Sequence, residues 1–181
     1  MATKYSTRDV TVINGRKVFF DANVLIYIFW PTGNYNWEKY YSSTFGRLLR
    51  QENELFVDYM VISEIINRTH RSEFEKHLIA NEIPQGVLKY KQYRDSEDGK
   101  NALKDINLII NDVILDKFSI IGKSFTKTDI QSFLTTDTLD FADKVINLLC
   151  KENSFILLTN DADFKNADID ILTSNPALLS V

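Results

Sequence analysis

Residues 19–27 read FFDANVLIY, and this stretch places one carboxylate, that of Asp21, between two runs of apolar residues. The preceding residues, KVFF at 17–20, have the continuous apolar character of a strand that is buried on both faces of a sheet. The residues that follow, NVLIY at 23–27, begin an apolar helix. An unpaired carboxylate is unfavourable in an apolar interior. We therefore expect Asp21 to end a buried strand and to lie in a polar site that it shares with other acids.

Along the rest of the chain, short apolar runs alternate with segments of helical spacing. Strands are predicted in VTVING (10–15), KVFFD (17–21), ELFVD (54–58), FSIIG (118–122), SFILLTND (154–161) and, as a final edge strand, DIDILTSNP (168–176). Helices are predicted in 37–53, 59–70, 71–83, 104–118 and 139–153, with a short helix capped at Thr128. This alternation predicts an α/β fold, a three-layer α/β/α sandwich with a mostly parallel central sheet.

Length and composition limit the classes of protein that fit this sequence. A chain of 181 residues suits one domain, and residues 1–181 are treated as a single unit. No apolar run approaches the roughly 18 residues of a membrane span, and the segment MATKYSTRDVTVINGRK lacks a secretory h-region. A cytoplasmic location without membrane contact is therefore expected. The net charge of −4 gives no general attraction to phosphates, but acids gathered in a metal site are compatible with a nucleic-acid substrate.

Several acids are predicted to meet at one edge of the sheet. The carboxyl ends of parallel strands share an edge, and ligands bind there. Asp21 and Asp161 each follow a strongly apolar strand, so both are expected at that edge. Asp143 borders the apolar stripe of the helix that leads directly into the strand of Asp161, and Glu64 stands in the apolar helix after ELFVD. Each acid alone is explained equally well as a cap, turn or surface residue, but their convergence favours a shared functional site.

The segments FFDANVLIY, VISEIINR and LDFADKVINLLC, the last leading into FILLTNDADF, resemble the PIN-domain family of nucleases. The strand endings D-x-N-V-L-I-Y and L-T-N-D-x-D-F carry the resemblance most specifically. It covers the front third and the last quarter of the chain and says little about residues 70–135. The resemblance implies a PIN-like fold for the whole chain. It also marks residues 84–137 as a helical insertion that the short, VapC-like toxins of the family do not carry.

The resemblance implies a set of catalytic acids that also bind metal: Asp21, Glu64, Asp143 and Asp161. Asp140 competes with Asp143 for the third place, and Asp143 is preferred because the spacing from helix to strand then needs no gap. Asp163 and Asp140 are further candidate metal ligands, and Asn23 and Thr159 would support the site. Oxygen ligands without His or Cys suit Mg²⁺ or Mn²⁺ better than Zn²⁺.

Basic residues on two segments are candidates for contact with nucleic acid: Arg68, Arg71, Lys89, Lys91 and Arg94. In LKYKQYR (88–94), cations interleave with Tyr90 and Tyr93, a pattern that suits backbone pairing and base stacking. A solvated helix face with two packed tyrosines is the simpler explanation of the same pattern. His70 and His77 are expected on a solvated face and not among metal ligands.

These expectations combine into an Mg²⁺- or Mn²⁺-dependent endoribonuclease that hydrolyses phosphodiester bonds of RNA. The resemblance leaves open that the protein is the toxin of a toxin–antitoxin pair, with a small antitoxin protein as partner, and that it forms a homodimer. The alternative is a catalytically inactive PIN-like module that binds RNA or protein. A phosphatase with Asp21 as nucleophile is disfavoured, because haloacid-dehalogenase-type enzymes carry a second Asp where this chain has Asn23.

Overall fold

A six-stranded sheet forms the centre of the molecule. The computed structural model describes residues 2–30 and 33–180. In these residues the strands are β1 Lys4–Ser6, β2 Lys17–Phe20, β3 Glu54–Val57, β4 Ser119–Ile120, β5 Ile156–Leu158 and β6 Ile171–Thr173. Their order is β1-β6-β5-β2-β3-β4, and all the pairings between neighbours are parallel. The carboxyl ends of all six strands therefore lie at one edge of the sheet, and the predicted α/β fold is confirmed.

Helices connect the strands and cover both faces of the sheet. They are α1 Ala22–Phe29, α2 Tyr35–Arg50, α3 Tyr59–Ala80, α4 Tyr90–Asp95, α5 Glu97–Ile109, α6 Leu115–Lys117, α7 Lys127–Phe133, α8 Phe141–Asn153 and α9 Pro176–Leu179. The crossovers from β2 to β3 and from β4 to β5 run in opposite directions across the sheet. Right-handed crossovers of opposite direction lie on opposite faces, so α1 and α2 cover one face and α8 covers the other. None of the helices in the described ranges is both long and apolar enough to cross a membrane.

Strand β2 is buried on both faces, as its continuous apolar sequence predicts. Phe19 and Phe20 are both fully buried and point to opposite faces, since side chains alternate along a strand. The ring of Phe20 meets the edges of Phe45 in α2 and of Phe118. The ring of Phe19 stacks on Phe155, which precedes β5. The backbone that carries Asp21 is thus held by apolar packing above and below it.

Residues 84–137 contain helices α4 to α7, a π-helical segment at Ile110–Ile114 and strand β4. Helix α5 packs along α3, and β4 pairs with β3 to form one edge of the sheet. The segment therefore contributes to the central sheet as well as to the helical layer. That it is an insertion atypical of the family, within one domain, stays a prediction.

The strand predicted at VTVING (10–15) is wrong, because residues 7–13 form a 3₁₀-helix kinked at Asp9. The side chain of Ser6 accepts a hydrogen bond from the backbone N–H of Arg8, which starts the helical turn. Val10 and Ile13 are fully buried while Val12 is largely exposed. Burial at every third residue fits the three-residue turn of a 3₁₀-helix and not the alternation of a strand.

Strand β6 lies inside the sheet, so its prediction as an edge strand is wrong. The unpredicted strand β1 pairs with its outer side, with Tyr5 opposite Leu172. The backbone N–H of Thr3 donates to Asp170 Oδ1 (2.9 Å), and that of Ile171 donates to the Thr3 carbonyl (2.9 Å). Three residues near the start of the chain are too few to show an alternating pattern, which is why the sequence did not predict this strand.

Two helix boundaries also differ from the predictions. Residues 59–70 and 71–83 were predicted as separate helices, and 59–80 form the single helix α3. Helix α7 is capped by Thr126 and not by Thr128. The hydroxyl of Thr126 accepts from the backbone N–H of Asp129, and the Asp129 carboxylate accepts from the N–H of Thr126. This reciprocal capping box favours the earlier threonine.

His70 is buried, so its prediction as a solvated residue is wrong. Its Nε2 lies 2.9 Å from the carbonyl oxygen of Gly99, and because a carbonyl can only accept, Nε2 is the donor. In the neutral ring, Nδ1 then accepts a hydrogen bond from the Tyr90 hydroxyl at 2.8 Å. A Cβ on Gly99 would lie 2.0 Å from the carbonyl oxygen of Tyr93. Helix α5 therefore packs too closely against α4 for any side chain at position 99. The groups that bury His70 come from 20 or more residues along the chain, beyond the reach of a local pattern.

Candidate active site

Asp21 follows β2 directly and is almost completely buried. Its backbone N–H donates to the carbonyl of Leu158, which extends the pairing of β2 with β5 by one residue (3.1 Å). Its Oδ2 accepts from the hydroxyl of Thr159 at 2.5 Å and from Nδ2 of Asn23 at 2.6 Å. Both residues that were predicted to support the site therefore fix the position of this carboxylate.

The four predicted catalytic acids lie close enough to influence one another. Burial raises the pKa of Asp21 to about 6; the hydrogen bond from Thr159 opposes this rise, and the charges of Glu64 and Asp161 add to it. Burial also raises the pKa of Asp143 to about 7, and the charges of Asp140, Asp21 and Asp161 contribute. Like charges raise a carboxyl pKa appreciably only at short range. Asp21, Asp143 and Asp161 therefore lie within electrostatic reach of one another, and Glu64 lies within reach of Asp21.

Asp140 and Asp143 form a capping box at the start of α8. Oδ1 of Asp140 accepts from the backbone N–H of Asp143 (2.9 Å), and Oδ2 of Asp143 accepts from the N–H of Asp140 (3.3 Å). Asp140 is exposed, whereas Asp143 is half-buried. The pKa of Asp143 responds to Asp21 and Asp161 as well as to Asp140. Of the two candidates for the third acid, Asp143 is therefore the one in the electrostatic neighbourhood of the strand-end acids.

Asp161 and Asp163 occupy the short 3₁₀-helix that follows β5. The backbone N–H of Asp161 donates to the hydroxyl of Thr159 (2.9 Å), the same hydroxyl that donates to Asp21. Oδ1 of Asp161 accepts from the backbone N–H of Asp163 (3.0 Å). Asp163 itself is exposed. Thr159 thus ties the two strand-end acids together, and Asp163 lies at the outer margin of the group.

The predicted nucleic-acid contacts fall into two places. Arg68 donates to Glu64 Oε1 from the next turn of α3 (2.9 Å), so it lies beside the acids. The guanidinium of Arg71 lies over the ring of Tyr90, 4.5 Å from its centroid, and Arg94 pairs with the neighbouring Asp95. Lys89 and Lys91 are exposed on and beside α4.

The tyrosines of this segment pack against α3. Tyr93 is buried, and the rings of Tyr90 and Tyr93 both contact Phe74 and His70. Their faces are therefore engaged within the protein, as the packing explanation of LKYKQYR predicts.

A buried polar network behind the acids was not predicted. The hydroxyl of Tyr41 donates to Oδ1 of Asn160 (2.8 Å), and the backbone N–H of Asn160 donates to Oδ1 of Asn23 (3.1 Å). Asn175 Nδ2 donates to the carbonyl of Asn160 (2.7 Å), and the N–H of Ser174 donates to the Tyr41 hydroxyl (3.1 Å). Burial raises the pKa of Tyr41 to about 12, so it remains a neutral donor. An aromatic residue in an amphipathic helix gives no signal for such a role, because its partners lie more than 100 residues away.

The donor chemistry of the acid group fits a hard divalent cation. Carboxylate oxygens are the preferred ligands of Mg²⁺ and Mn²⁺, and Mg²⁺ keeps several water ligands and needs only one or two carboxylates. Within residues 2–30 and 33–180, no three His, Cys, Asp or Glu side chains already form a group that could hold a metal ion. A cation bound at these acids would favour the ionised forms of Asp21 and Asp143, whose pKa values are raised first by burial and then by neighbouring charges. Candidate ligands are therefore present, with water completing the coordination.

Comparison with known proteins identifies the family. The family model described as "PIN domain" matches residues 18–170. This chain belongs to the PIN-domain family. PIN domains are generally nucleases, and they typically use divalent metal ions. The match begins within β2 and ends just before β6, so it contains all four acids.

The comparisons with single proteins add less. No curated protein matches this PIN-domain chain in sequence. Among solved structures, it is similar to PAE2754 from Pyrobaculum aerophilum, with 12% identity, a TM-score of 0.49, and coverage of 91% of this chain and 88% of that one. It is also similar to VapBC2 from Rickettsia felis bound to a DNA fragment from their promoter, with 14% identity, a TM-score of 0.48, and coverage of 87% and 98%.

Proposed function

We propose that this PIN domain is a nuclease that hydrolyses phosphodiester bonds of RNA with the help of Mg²⁺ or Mn²⁺. One observation carries the proposal. Asp21, held by Thr159 and Asn23 at the junction of β2 and β5, lies close enough to Glu64 and Asp161 for their charges to raise its pKa. Four acids from distant parts of the chain are not expected to meet at one sheet edge for stability, because their mutual repulsion destabilises the fold.

The acids act together in the proposed reaction, and the neighbouring residues support them. Asp21, Glu64, Asp143 and Asp161 would hold the metal, with Asp140 and Asp163 as outer ligands. When bound, the cation would activate water for in-line attack and stabilise charge on the phosphoryl oxygens. Thr159 and Asn23 keep Asp21 in place through their hydrogen bonds to Oδ2. Arg68, paired with Glu64 in this structure, would neutralise a substrate phosphate beside the acids.

The proposal is tested by replacing each acid with its amide and measuring cleavage of single-stranded RNA in Mg²⁺ or Mn²⁺. Asp21→Asn and Asp161→Asn should abolish cleavage and should also remove the rise in melting temperature that the metal gives the native protein. Asp105→Asn is the matched control, since Asp105 is an exposed acid of α5 outside the group. Retained cleavage in Asp21→Asn would exclude the assignment.

Two amide variants distinguish the roles of Asp140 and Asp143, which share the capping box of α8. Asparagine is as good an N-cap as aspartate, so Asp140→Asn should keep the stability of α8 and most of the activity. Asp143→Asn removes the acid of this helix whose pKa is raised by the charges of Asp21 and Asp161, and activity should be lost. Loss of activity in Asp140→Asn alone would instead assign the third catalytic position to Asp140.

Two further parts of the hypothesis are tested in the cell and by pull-down. A toxin of a toxin–antitoxin pair should arrest growth when it is expressed alone, and Asp21→Asn should relieve the arrest. A small antitoxin should then co-purify with the chain when the neighbouring reading frame is co-expressed. A native protein that binds RNA but never cleaves it, in either metal, would favour the inactive binding module.

A further inference from the structure

A cavity opens at the same edge of the sheet as the acids. It has a volume of about 370 Å³, and six of its lining residues carry polar groups: Ser6, Thr7, Arg8, Tyr40, Ser174 and Ser180. Ser6 ends β1 and Ser174 follows β6, so both lie at the carboxyl edge, where Asp21 and Asp161 also lie. Three strand spacings of about 4.8 Å separate β1 from β2, so the cavity is roughly 14 Å from the acids along the edge.

The cavity offers the groups that bind a nucleotide. Arg8 is exposed and forms no ion pair with any residue in the described part of the chain. Lys165, on the 3₁₀-helix after Asp161, reaches the cavity rim, where its Nζ donates to the hydroxyl of Ser180 at 3.4 Å. Tyr40 is 43% exposed, so its ring has surface available for stacking. A free guanidinium suits a phosphate and an exposed aromatic face suits a base.

A continuous hydrogen-bonded path connects this cavity to the acids. The hydroxyls of Thr7 and Ser174 are 2.5 Å apart, and the N–H of Ser174 donates to the Tyr41 hydroxyl. From Tyr41 the path continues through Asn160 and Asn23 to the carboxylate of Asp21. Thr7 is itself buried. The cavity is therefore held in a fixed position relative to Asp21 and does not belong to a loose surface loop.

We propose that this cavity is a subsite for the RNA strand some nucleotides away from the cleaved bond. In it, Arg8 pairs with a phosphate, and the Tyr40 ring stacks on a base. This inference rests on the proposed function, because it takes the acids as the place of cleavage. At 3.4 Å per nucleotide in a stacked strand, 14 Å corresponds to about four nucleotides. A strand laid along the carboxyl edge from the acids would reach Arg8 within that length.

The test measures binding of a labelled eight-nucleotide single-stranded RNA by fluorescence anisotropy in EDTA, where cleavage does not interfere. Tyr40→Ala should weaken binding about fivefold or more, while Tyr40→Phe, which keeps the stacking face, should bind as the native protein does. Arg8→Ala should weaken binding and reduce the slope of log Kd against log salt by about 0.7. Arg50→Ala is the control, because Arg50 ends α2 near the amino ends of the strands, opposite the carboxyl edge. This variant should change neither the affinity for RNA nor the salt slope.

The outcomes separate this inference from the proposed function. If Arg8→Ala and Tyr40→Ala bind RNA like the native protein while Asp21-dependent cleavage persists, the subsite is wrong and the nuclease proposal stands. If Arg8→Ala and Arg50→Ala weaken binding equally, the effect is general electrostatic attraction and the subsite is again wrong. If the native protein neither binds nor cleaves RNA, both proposals fail together.

Discussion

Single residues decide the electrostatics of the acid group. The pKa values of Asp21 and Asp143 are raised by burial and by neighbouring charges, so ionisation of either carboxyl is disfavoured in the folded protein. The groups that stabilise the ionised form of Asp21 are neutral, since Thr159 and Asn23 donate ordinary hydrogen bonds. A divalent cation would supply the charge that these neutral donors lack, which links metal binding to stability.

The raised pKa values predict how stability depends on pH. An ordinary aspartate titrates near 3.8, whereas Asp21 titrates at about 6 and Asp143 at about 7 in the folded state. Between these limits the folded protein binds more protons than the unfolded chain. The free energy of unfolding in EDTA should therefore fall as the pH rises from about 4 through 7. Denaturant titrations at pH 5 and pH 8 measure this difference.

Asp143→Asn is the variant that isolates the effect. It removes the group with the more raised pKa, so it should reduce the loss of stability between pH 5 and pH 8. Mg²⁺ should restore stability to the native protein at pH 8 and have a smaller effect at pH 5, where Asp21 and Asp143 are largely protonated. A native protein more stable at pH 8 than at pH 5 in EDTA would contradict this account.

Tyr41 supports the site through its hydroxyl, and Tyr41→Phe tests that role. The variant keeps the ring, which stacks on Tyr27, but leaves Asn160 Oδ1 and the N–H of Ser174 without their partner. Unpaired buried polar groups cost about 1–3 kcal/mol each. We expect stability to fall by that order in denaturant titration. Tyr40→Phe, at an exposed position of the same helix, should cause almost no change.

At the scale of elements, local pattern predicted the helices and buried strands well. The apolar runs of β2, β3 and β5 and the spacing of α2 and α8 predicted the elements observed. The failures have different causes, one a local cap and the other a set of contacts distant in sequence. The 3₁₀-helix at residues 7–13 depends on its side-chain cap, and His70 depends on α4 and α5. β-branched residues in VTVI favour a strand locally, but packing of Val10 and Ile13 overrides that preference.

The close contact of α4 with α5 predicts that Gly99 cannot be replaced. In Gly99→Ala, the new methyl group would lie 2.0 Å from the Tyr93 carbonyl oxygen, so the backbone must move. That movement would also disturb the bond between His70 and the Gly99 carbonyl. A fall in melting temperature of several degrees is expected by calorimetry. Gly122→Ala is the control, since a Cβ there meets nothing within 4 Å.

At the scale of the whole molecule, the sheet order depends on a short strand from the start of the chain. Strand β1 covers the outer side of β6, and Arg16 pairs with Asp170 beside it (3.1 Å). Deleting residues 1–6 should leave the edge of β6 unpaired, which lowers the melting temperature and promotes aggregation. Deleting residues 1 and 2 should do neither, because β1 begins at Lys4. Light scattering during a thermal melt distinguishes the two deletions.

Much of the candidate site could be predicted from the sequence, because its acids stand directly after apolar strands or within apolar helices. Asp21 and Asp161 follow from the ends of β2 and β5, and Asn23 and Thr159 follow from the resemblance to the PIN-domain family. The match to the PIN-domain model includes all four. The preference for Asp143 over Asp140 gains support from the partial burial of Asp143 and from the effect of Asp21 and Asp161 on its pKa. The role of Tyr41 needed the packing of α2 over the sheet edge, which no local pattern encodes.

The sequence by itself determined the class of fold, the buried central strands and the acids that are candidates for the site, because alternation, apolar runs and strand-end carboxylates are local features. Only the tertiary structure decided the order of the strands, the burial of His70 and the cavity around Arg8. These depend on contacts between residues 20 to more than 160 positions apart. The physical reason is that long-range contacts fix which face of an element is covered, and hydropathy along the chain does not contain that information.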